Sequence, residues 1–131
     1  MFTSGLLHLT NYLKSAWVTA LAAYDVLVGG GNTNVFISDG DGNDVIIGGH
    51  FDDKLSSKNG DDFIDGSCGD NGIRGHKGSD VLIGNEGNDY LDGGLDNDTL
   101  KGSAGNDVPD GAKGFDVVKY NESYANFTIH K

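Results

Sequence analysis

The sequence predicts an all-β repeat fold in which short strands and glycine-rich turns wind into stacked coils. Three observations predict it: a period of nine residues, an aspartate at a fixed place in each period, and an aliphatic residue two places after that aspartate. Of the 131 residues, 37% are hydrophobic, and there are 22 glycines against a single proline, which leaves too few apolar residues for a thick core. Order must therefore come from a thin core and from regular stacking of the turns.

Residues 1–24 form the first predicted region, an N-terminal amphipathic helix that caps the repeats. Its apolar residues recur at spacings of three and four, as on one face of a helix that begins near Thr3 or Ser4: Leu6, Leu9, Leu13, Trp17 and Leu21. Asn11 and Lys14 interrupt the apolar run and no basic residues precede it, which argues against a secretory signal and against a membrane span.

Residues 25–119 form the second region, the repeats themselves. We number each unit of nine so that the aspartate stands at position 6. That position is occupied in turn by Asp44, Asp53, Asp62, Asn71, Asp80, Asp89, Asp98, Asp107 and Asp116. Position 8 is occupied by Ile46, Leu55, Ile64, Ile73, Leu82, Leu91, Leu100, Pro109 and Val118. Two weaker copies precede the run, Asp25 with Leu27 and Asn34 with Phe36, and one extra residue near Ser38 joins them to it.

The chemistry of one unit indicates a calcium site. Three residues with an apolar residue in the middle, such as Tyr90–Asp92, suit a short strand whose central side chain points inward. The glycine-rich residues before it suit a turn, because glycine tolerates positive φ and lets backbones approach closely. Aspartate carboxylates and backbone carbonyls are the all-oxygen ligand set of calcium, whereas zinc and copper favour clusters of histidine and cysteine.

Two columns of sites follow if two units close one coil. Aspartates eighteen residues apart then stack, and the first column contains Asp44, Asp62, Asp80, Asp98 and Asp116, while the second contains Asp53, Asn71, Asp89 and Asp107. The turn glycines Gly42, Gly60, Gly78, Gly87 and Gly105 belong to the same predicted sites. We expect the all-acidic first column to hold most of the calcium. In the second column, Asn71 removes a charge and Phe51 replaces a turn glycine, so we expect weaker sites there except between Asp89 and Asp107. Asp96 replaces a turn glycine in the first column.

The units resemble the nonapeptide GGxGxDxUx, in which U is a large aliphatic residue, of the repeat-in-toxin (RTX, hemolysin-type) calcium-binding family. GNEGNDYLD (84–92) and GDGNDVIIGG (40–49) are near-consensus copies, while GSCGDNGIR and GSAGNDVPD are degraded ones. The resemblance implies a right-handed parallel β-roll, or β-solenoid, with several calcium ions between successive turns. It also implies a bacterial, Gram-negative exoprotein, secreted to the extracellular space by a type I secretion apparatus. The third region, residues 120–131, resembles the capping strand that closes such a roll.

The charge and the motifs restrict the possible functions. Twenty acidic residues against nine basic ones give a net charge of −11, which argues against nucleic acid and anionic membranes as partners because phosphate binding requires positive charge. The chain carries no GxSxG or HExxH motif, so we expect no enzymatic activity from it.

Two alternatives to a calcium-binding module remain. One is the C-terminal module of a larger secreted enzyme, to which this chain would be a fused domain. The other is an adhesin-like, surface-binding protein that uses an apolar outer sheet face, which the sequence predicts at Val45, Ile47, Phe63, Val81, Ile83, Thr99 and Val117. The N-terminal helix or the C-terminal tail could also cover that face.

Overall fold

The structure, a computed structural model, describes residues 5–8, 16–19, 24–29 and 34–120, and over these ranges the chain is a parallel β-solenoid without helices. Sheet A consists of seven strands: β1 (Gly5–His8), β3 (Asp25–Val28), β5 (Val45–Gly49), β7 (Phe63–Ser67), β9 (Val81–Glu86), β11 (Thr99–Ala104) and β13 (Val117–Lys119). Sheet B consists of six: β2 (Ala16–Thr19), β4 (Val35–Ser38), β6 (Lys54–Ser56), β8 (Gly72–Lys77), β10 (Tyr90–Leu95) and β12 (Val108–Asp110).

The coils stack in the register that the nine-residue period predicts. The chain alternates between the sheets, so each strand pairs in parallel with the strand one full coil later. Val45 of β5 pairs with Phe63 of β7, and Phe63 pairs in turn with Val81 of β9. Two units therefore make one coil, and the predicted β-roll architecture is confirmed.

The core is a thin double row of aliphatic side chains, one from position 8 of each strand from β3 to β11. No member of this row is more than 2% exposed. The row consists of Leu27, Ile37, Ile46, Leu55, Ile64, Ile73, Leu82, Leu91 and Leu100. Burial of each such side chain contributes roughly 1.5–3 kcal/mol, and identical spacing stacks every residue on its counterpart one coil away. The inward-facing residues at position 6 are mostly buried aspartates, so carboxylates lie in the interior beside the aliphatic row.

The structure corrects the phase of the second weak copy. Val35 and Ile37 point into the core, while Phe36 between them is only half-buried. The Val35 N–H donates to Oδ1 of Asp53 at 2.9 Å, so Val35 occupies position 6. The extra residue consequently lies between Val28 and Val35, and its expected place near Ser38 is wrong. Three consecutive apolar residues leave both phases open to a sequence argument, and register with β6 decides between them.

The predicted N-terminal helix is wrong where the structure describes residues 1–24. Gly5–His8 is a strand that pairs with β3, and Ala16–Thr19 is a strand that pairs with β4. A solenoid presents two open strand edges at its first coil, and a preceding segment that pairs with them satisfies their backbone groups. That gain outweighs the local helical spacing of the leucines. Residues 1–4, 9–15 and 20–23 lie outside the described residues, as do 121–131 of the predicted C-terminal capping segment.

Pro109 occupies a core position without breaking its strand. It pairs with Leu91 in β12, which is the edge strand of sheet B. The neighbouring Val108 N–H donates toward β10, to the carbonyl of Asp89 at 2.8 Å. Because N–H groups alternate in direction along a strand, the nitrogen of Pro109 faces the open edge, where a missing donor is tolerated.

In the described ranges, no helix is long and apolar enough to cross a membrane.

Candidate metal centres

The residues at position 6 form two columns along the solenoid. Those of one column begin or immediately precede the strands of sheet A, and those of the other begin or immediately precede the strands of sheet B. Column A contains Asp25, Asp44, Asp62, Asp80, Asp98 and Asp116, and column B contains Val35, Asp53, Asn71, Asp89 and Asp107. The structure thus brings together all nine position-6 residues in the two columns that the sequence predicts. It adds Asp25 to the first column and the apolar Val35 to the second.

Backbone hydrogen bonds orient the nine position-6 side chains from Asp44 to Asp116. Oδ1 of each accepts the N–H of the position-6 residue one coil earlier, as Asp62 accepts from Asp44 and Asp80 accepts from Asp62, both at 2.8 Å. The Asp98 N–H reaches Asp116 at 2.9 Å, and the Asp89 N–H reaches Asp107 at the same distance. One carboxylate oxygen is therefore satisfied by the fold itself, and the other, Oδ2, is free to point elsewhere.

That second oxygen is buried without a hydrogen-bond partner in most of these carboxylates. Among the residues that the structure describes, the aspartates with such an Oδ2 are Asp39, Asp44, Asp53, Asp62, Asp80, Asp89, Asp98 and Asp107. A buried, ionised carboxylate is costly unless a counter-charge or a hydrogen bond compensates it. Two species can satisfy the row of oxygens: protons, which neutralise the carboxylates, or cations placed between the coils.

Asn71 indicates where such a cation would lie. Its side-chain Nδ2 occupies the place of Oδ2 and donates to the backbone carbonyls of Gly69 at 3.1 Å and Cys68 at 3.3 Å. The amide thus brings a positively polarised group to the point on which turn carbonyls and the δ2 atom converge. At an aspartate position the same carbonyl oxygens and Oδ2 form an all-oxygen set, which suits a hard cation such as calcium.

The pKa values of the carboxylates reflect this environment. Burial, reinforced by the negative charges of Asp62 and Asp98, raises the pKa of Asp80 to about 8. Burial likewise raises the pKa of Asp44 to about 7, that of Asp89 to about 7 and that of Asp98 to about 6. It also raises the pKa values of Asp53, Asp62 and Asp107 above their usual range. The cation-free roll therefore favours protonated aspartates.

The predicted turn glycines hold the coils close together at position 4. Gly60 and Gly105 have φ values of 130° and 120°, which side-chain-bearing residues rarely adopt. A Cβ on Gly60 would overlap the backbone carbonyl of Gly42, and one on Gly105 would overlap that of Gly87. The remaining predicted turn glycine, Gly78, has the same conformation and lies against the carbonyl of Gly60. These glycines let the turn carbonyl of one coil pack against the backbone of the glycine in the next coil.

A second series of hydrogen bonds, at position 5, was not anticipated. There, the side-chain Oδ1 of an asparagine or aspartate accepts the N–H of the position-5 residue one coil later, as from Asp61 to Asn43 at 2.9 Å and from Asn88 to Asp70 at 2.8 Å. These side chains are exposed, so they join the turns without forming a buried site. The sequence signal was the recurrence of asparagine or aspartate immediately before position 6.

Two further acidic residues were missing from the predicted sites, Asp25 and Asp39. Both are buried, and each has a carboxylate oxygen within 4.8 Å of the other and of one from Asp44. Asp25 is the first described member of column A. Asp39 stands at position 1, where Gly75, Gly93 and Gly111 stand in later turns of that column. This departure from the glycine pattern was the signal for Asp39.

Fold and site together define a class of protein: a parallel β-solenoid whose turns stack buried carboxylates and carbonyls into sites for a hard cation. The chain belongs to the RTX calcium-binding nonapeptide repeat family, whose model (4 copies of the repeat) matches residues 25–55, 38–73, 48–82, 66–100 and 83–118. The protein is therefore a calcium-binding β-roll module. No curated protein and no solved structure matches the chain.

Proposed function

We propose that calcium binding drives the folding of this roll, and that the aspartates of columns A and B, with the turn carbonyls, are the ligands. The single observation that carries the proposal is the row of buried Oδ2 atoms without hydrogen-bond partners in the described coils. A fold that buries so many unpaired acidic oxygens is stable only if something neutralises them.

The absence of calcium leaves protons as the alternative. Asp80 lies between Asp62 and Asp98, and ionisation of all three would bring like charges together in a buried site. At neutral pH the unfolded chain keeps its aspartates ionised and hydrated, so the calcium-free equilibrium shifts toward unfolding. Calcium reverses the shift because it binds the ionised form.

The size of the effect is sufficient to control folding. Extracellular calcium modules have dissociation constants of about 0.1–1 mM. At a free calcium concentration about ten times the dissociation constant, each site adds about 1.4 kcal/mol by mass action. Five such sites would add roughly 7 kcal/mol, which is comparable to the whole stability of an ordinary domain.

The same switch suits export. The module would stay unfolded at the low calcium concentration of the bacterial cytoplasm, pass through a type I secretion apparatus as an unfolded chain, and fold in the calcium-rich extracellular medium. Family membership supports this context. On this proposal the module itself has no catalytic activity, and any enzyme activity would belong to a domain fused to it.

The adhesin-like alternative finds less support in the outer face of sheet A. Phe63 and Val117 are 36% and 51% exposed, so an apolar row is present. However, the adjacent row on the same face contains Asp65, Lys101 and Lys119, which break its apolar surface. The buried carboxylates, by contrast, recur in every coil from β5 to β12.

The test is far-ultraviolet circular dichroism of the purified chain in chelator, followed by a calcium titration to about 10 mM with magnesium as the parallel control. We expect a cooperative gain of β signal with calcium only. Glu86→Gln, which removes one exposed negative charge outside position 6, is the matched control and should leave the midpoint unchanged. A spectrum that is already folded in chelator at neutral pH and does not respond to calcium would refute the proposal.

A further inference from the structure

In three of the four later column A turns, position 1 is a glycine with no room for a side chain. A Cβ added to Gly75 or Gly93 would overlap Oδ2 of the aspartate five residues later, Asp80 or Asp98. In the turn that leads into β5, this position is occupied by Asp39, which precedes Asp44 by the same five residues and is completely buried. A carboxylate therefore stands at a place where three of the four later turns of the column have glycine and one has the uncharged Ser57.

The Asp39 side chain points into a cluster of acidic oxygens. Its Oδ1 accepts the N–H of Gly40 at 2.8 Å, while its Oδ2 is buried without a hydrogen-bond partner among the described residues. The Oδ2 of Asp44 is in the same condition. One carboxylate oxygen each of Asp25, Asp39 and Asp44 lies within 4.8 Å of the other two, and the three residues are 2%, 0% and 1% exposed.

We propose that Asp25, Asp39 and Asp44 form a three-carboxylate calcium site that fills before the repeat sites. The inference rests on the proposed function, since it assigns the order in which the same cation is taken up. A gap between two ordinary coils, such as that between Asp62 and Asp80, has two position-6 carboxylates, whereas this cluster has three. The additional negative charge attracts a divalent cation more strongly in a buried site.

The location of the cluster gives this site a particular role. The coil of β3 and β4 has Val35 at position 6 of column B, so that coil offers no carboxylate on its second side. It also joins β5 with a spacing of nineteen residues, whereas later coils are spaced by eighteen. Calcium-mediated attachment of this irregular coil of β3 and β4 to the regular coils that follow therefore depends on the cluster.

Calcium binding to the whole chain, followed by isothermal titration calorimetry and by competition with a chromophoric chelator, tests the site. Asp39→Asn keeps the size of the side chain and an oxygen for the Gly40 N–H, and Asp39→Gly restores the residue found in later turns, so at least one variant should fold. Ser57→Gly is the matched control, because Ser57 occupies position 1 of the next turn without a charge and its hydroxyl donates to the carbonyl of Gly75 at 2.9 Å.

We expect both Asp39 variants to weaken binding of the first calcium ion by at least about tenfold while the later ions bind as before. Ser57→Gly should leave the first ion unaffected. Hydrogen exchange at one equivalent of calcium should protect β3 and β5 before β9 and β11. Unchanged affinity of the first ion in both Asp39 variants, or earliest protection in β9 and β11, would overturn this inference alone. A wild-type chain that binds no calcium would overturn the proposed function together with it.

Discussion

Asp80→Asn is expected to destabilise the roll in calcium and to stabilise it in chelator, whereas Asp53→Asn changes calcium-dependent stability little. Both aspartates are buried at position 6, and Oδ1 of each accepts a backbone N–H from the preceding coil. Their neighbours within the columns differ. Asp80 lies between Asp62 and Asp98, whereas Asp53 lies between the neutral residues Val35 and Asn71.

The magnitude follows from the number of calcium-binding gaps that each residue borders. Asp80 borders two gaps with a carboxylate on both sides, and at about 1.4 kcal/mol per site its loss removes about 3 kcal/mol in calcium at ten times the dissociation constant. That change lowers the melting temperature by roughly 10–20 °C. Asp53 borders no gap with two carboxylates, so Asp53→Asn should lower the stability by less than about 1.4 kcal/mol.

The sign should reverse when calcium is removed. Asparagine carries no charge, and Asn71 already shows that an amide at position 6 donates to the carbonyls of its own turn. In chelator Asp80→Asn therefore removes a buried carboxyl whose pKa burial raises to about 8 and supplies new hydrogen bonds. Thermal unfolding followed by circular dichroism measures both effects, in calcium at neutral pH and in chelator at pH about 5, where protonation of the buried aspartates favours the calcium-free fold. Equal melting temperatures of the two variants in calcium, or a lower melting temperature of Asp80→Asn in chelator, would refute the reasoning.

Three further predictions concern the same columns and turns. Asn71→Asp adds a carboxylate between Asp53 and Asp89, so calorimetry should show tighter or additional calcium binding together with lower stability in chelator; unchanged binding would contradict this. In chelator, the free energy of unfolding should fall as pH rises from about 4 toward about 8, because burial raises folded-state pKa values such as that of Asp80, to about 8, so the folded state binds more protons than the unfolded one. Denaturant titrations from pH about 4 upward, as far as the calcium-free chain stays folded, would contradict this if stability rose with pH. Gly105→Ala places a Cβ against the carbonyl of Gly87 at a φ of 120°. It should lower the free energy of unfolding by more than about 1 kcal/mol both with and without calcium. A loss of stability seen only in calcium would mean that this glycine matters only for metal binding.

Much of the site could be predicted because the repeat is strictly periodic. From Asp44 to Asp116, position 6 recurs every nine residues without a break, so equivalent residues stack on one another in successive coils. Because two units make one coil, Asp62, Asp80 and Asp98 fall in one column. The class of cation also follows from composition, since carboxylates and carbonyls are the oxygen ligands of hard cations. Period and residue type can be determined from the sequence alone, without knowing which distant residues become neighbours in the fold.

The misassigned elements lie where the period fails. The leucines near the N terminus have helical spacing, yet Gly5–His8 and Ala16–Thr19 are strands because the first coil offers open sheet edges. Val35, Phe36 and Ile37 are all apolar, so only pairing with β6 selects which of them face the core. Asp39 is one acidic residue among many in the sequence, and its importance depends on the burial of its unpaired oxygen.

The sequence by itself determined the coil, the two columns and the calcium chemistry, because a period of nine with aspartate and an aliphatic residue at fixed places allows few other ways to bury the aliphatic side chains. Only the tertiary structure decided the phase of the first coils, the pairing of the N-terminal strands, the position-5 hydrogen bonds and the meeting of Asp25, Asp39 and Asp44. Each of these depends on atoms about one coil apart in the chain that become neighbours only when the coils stack.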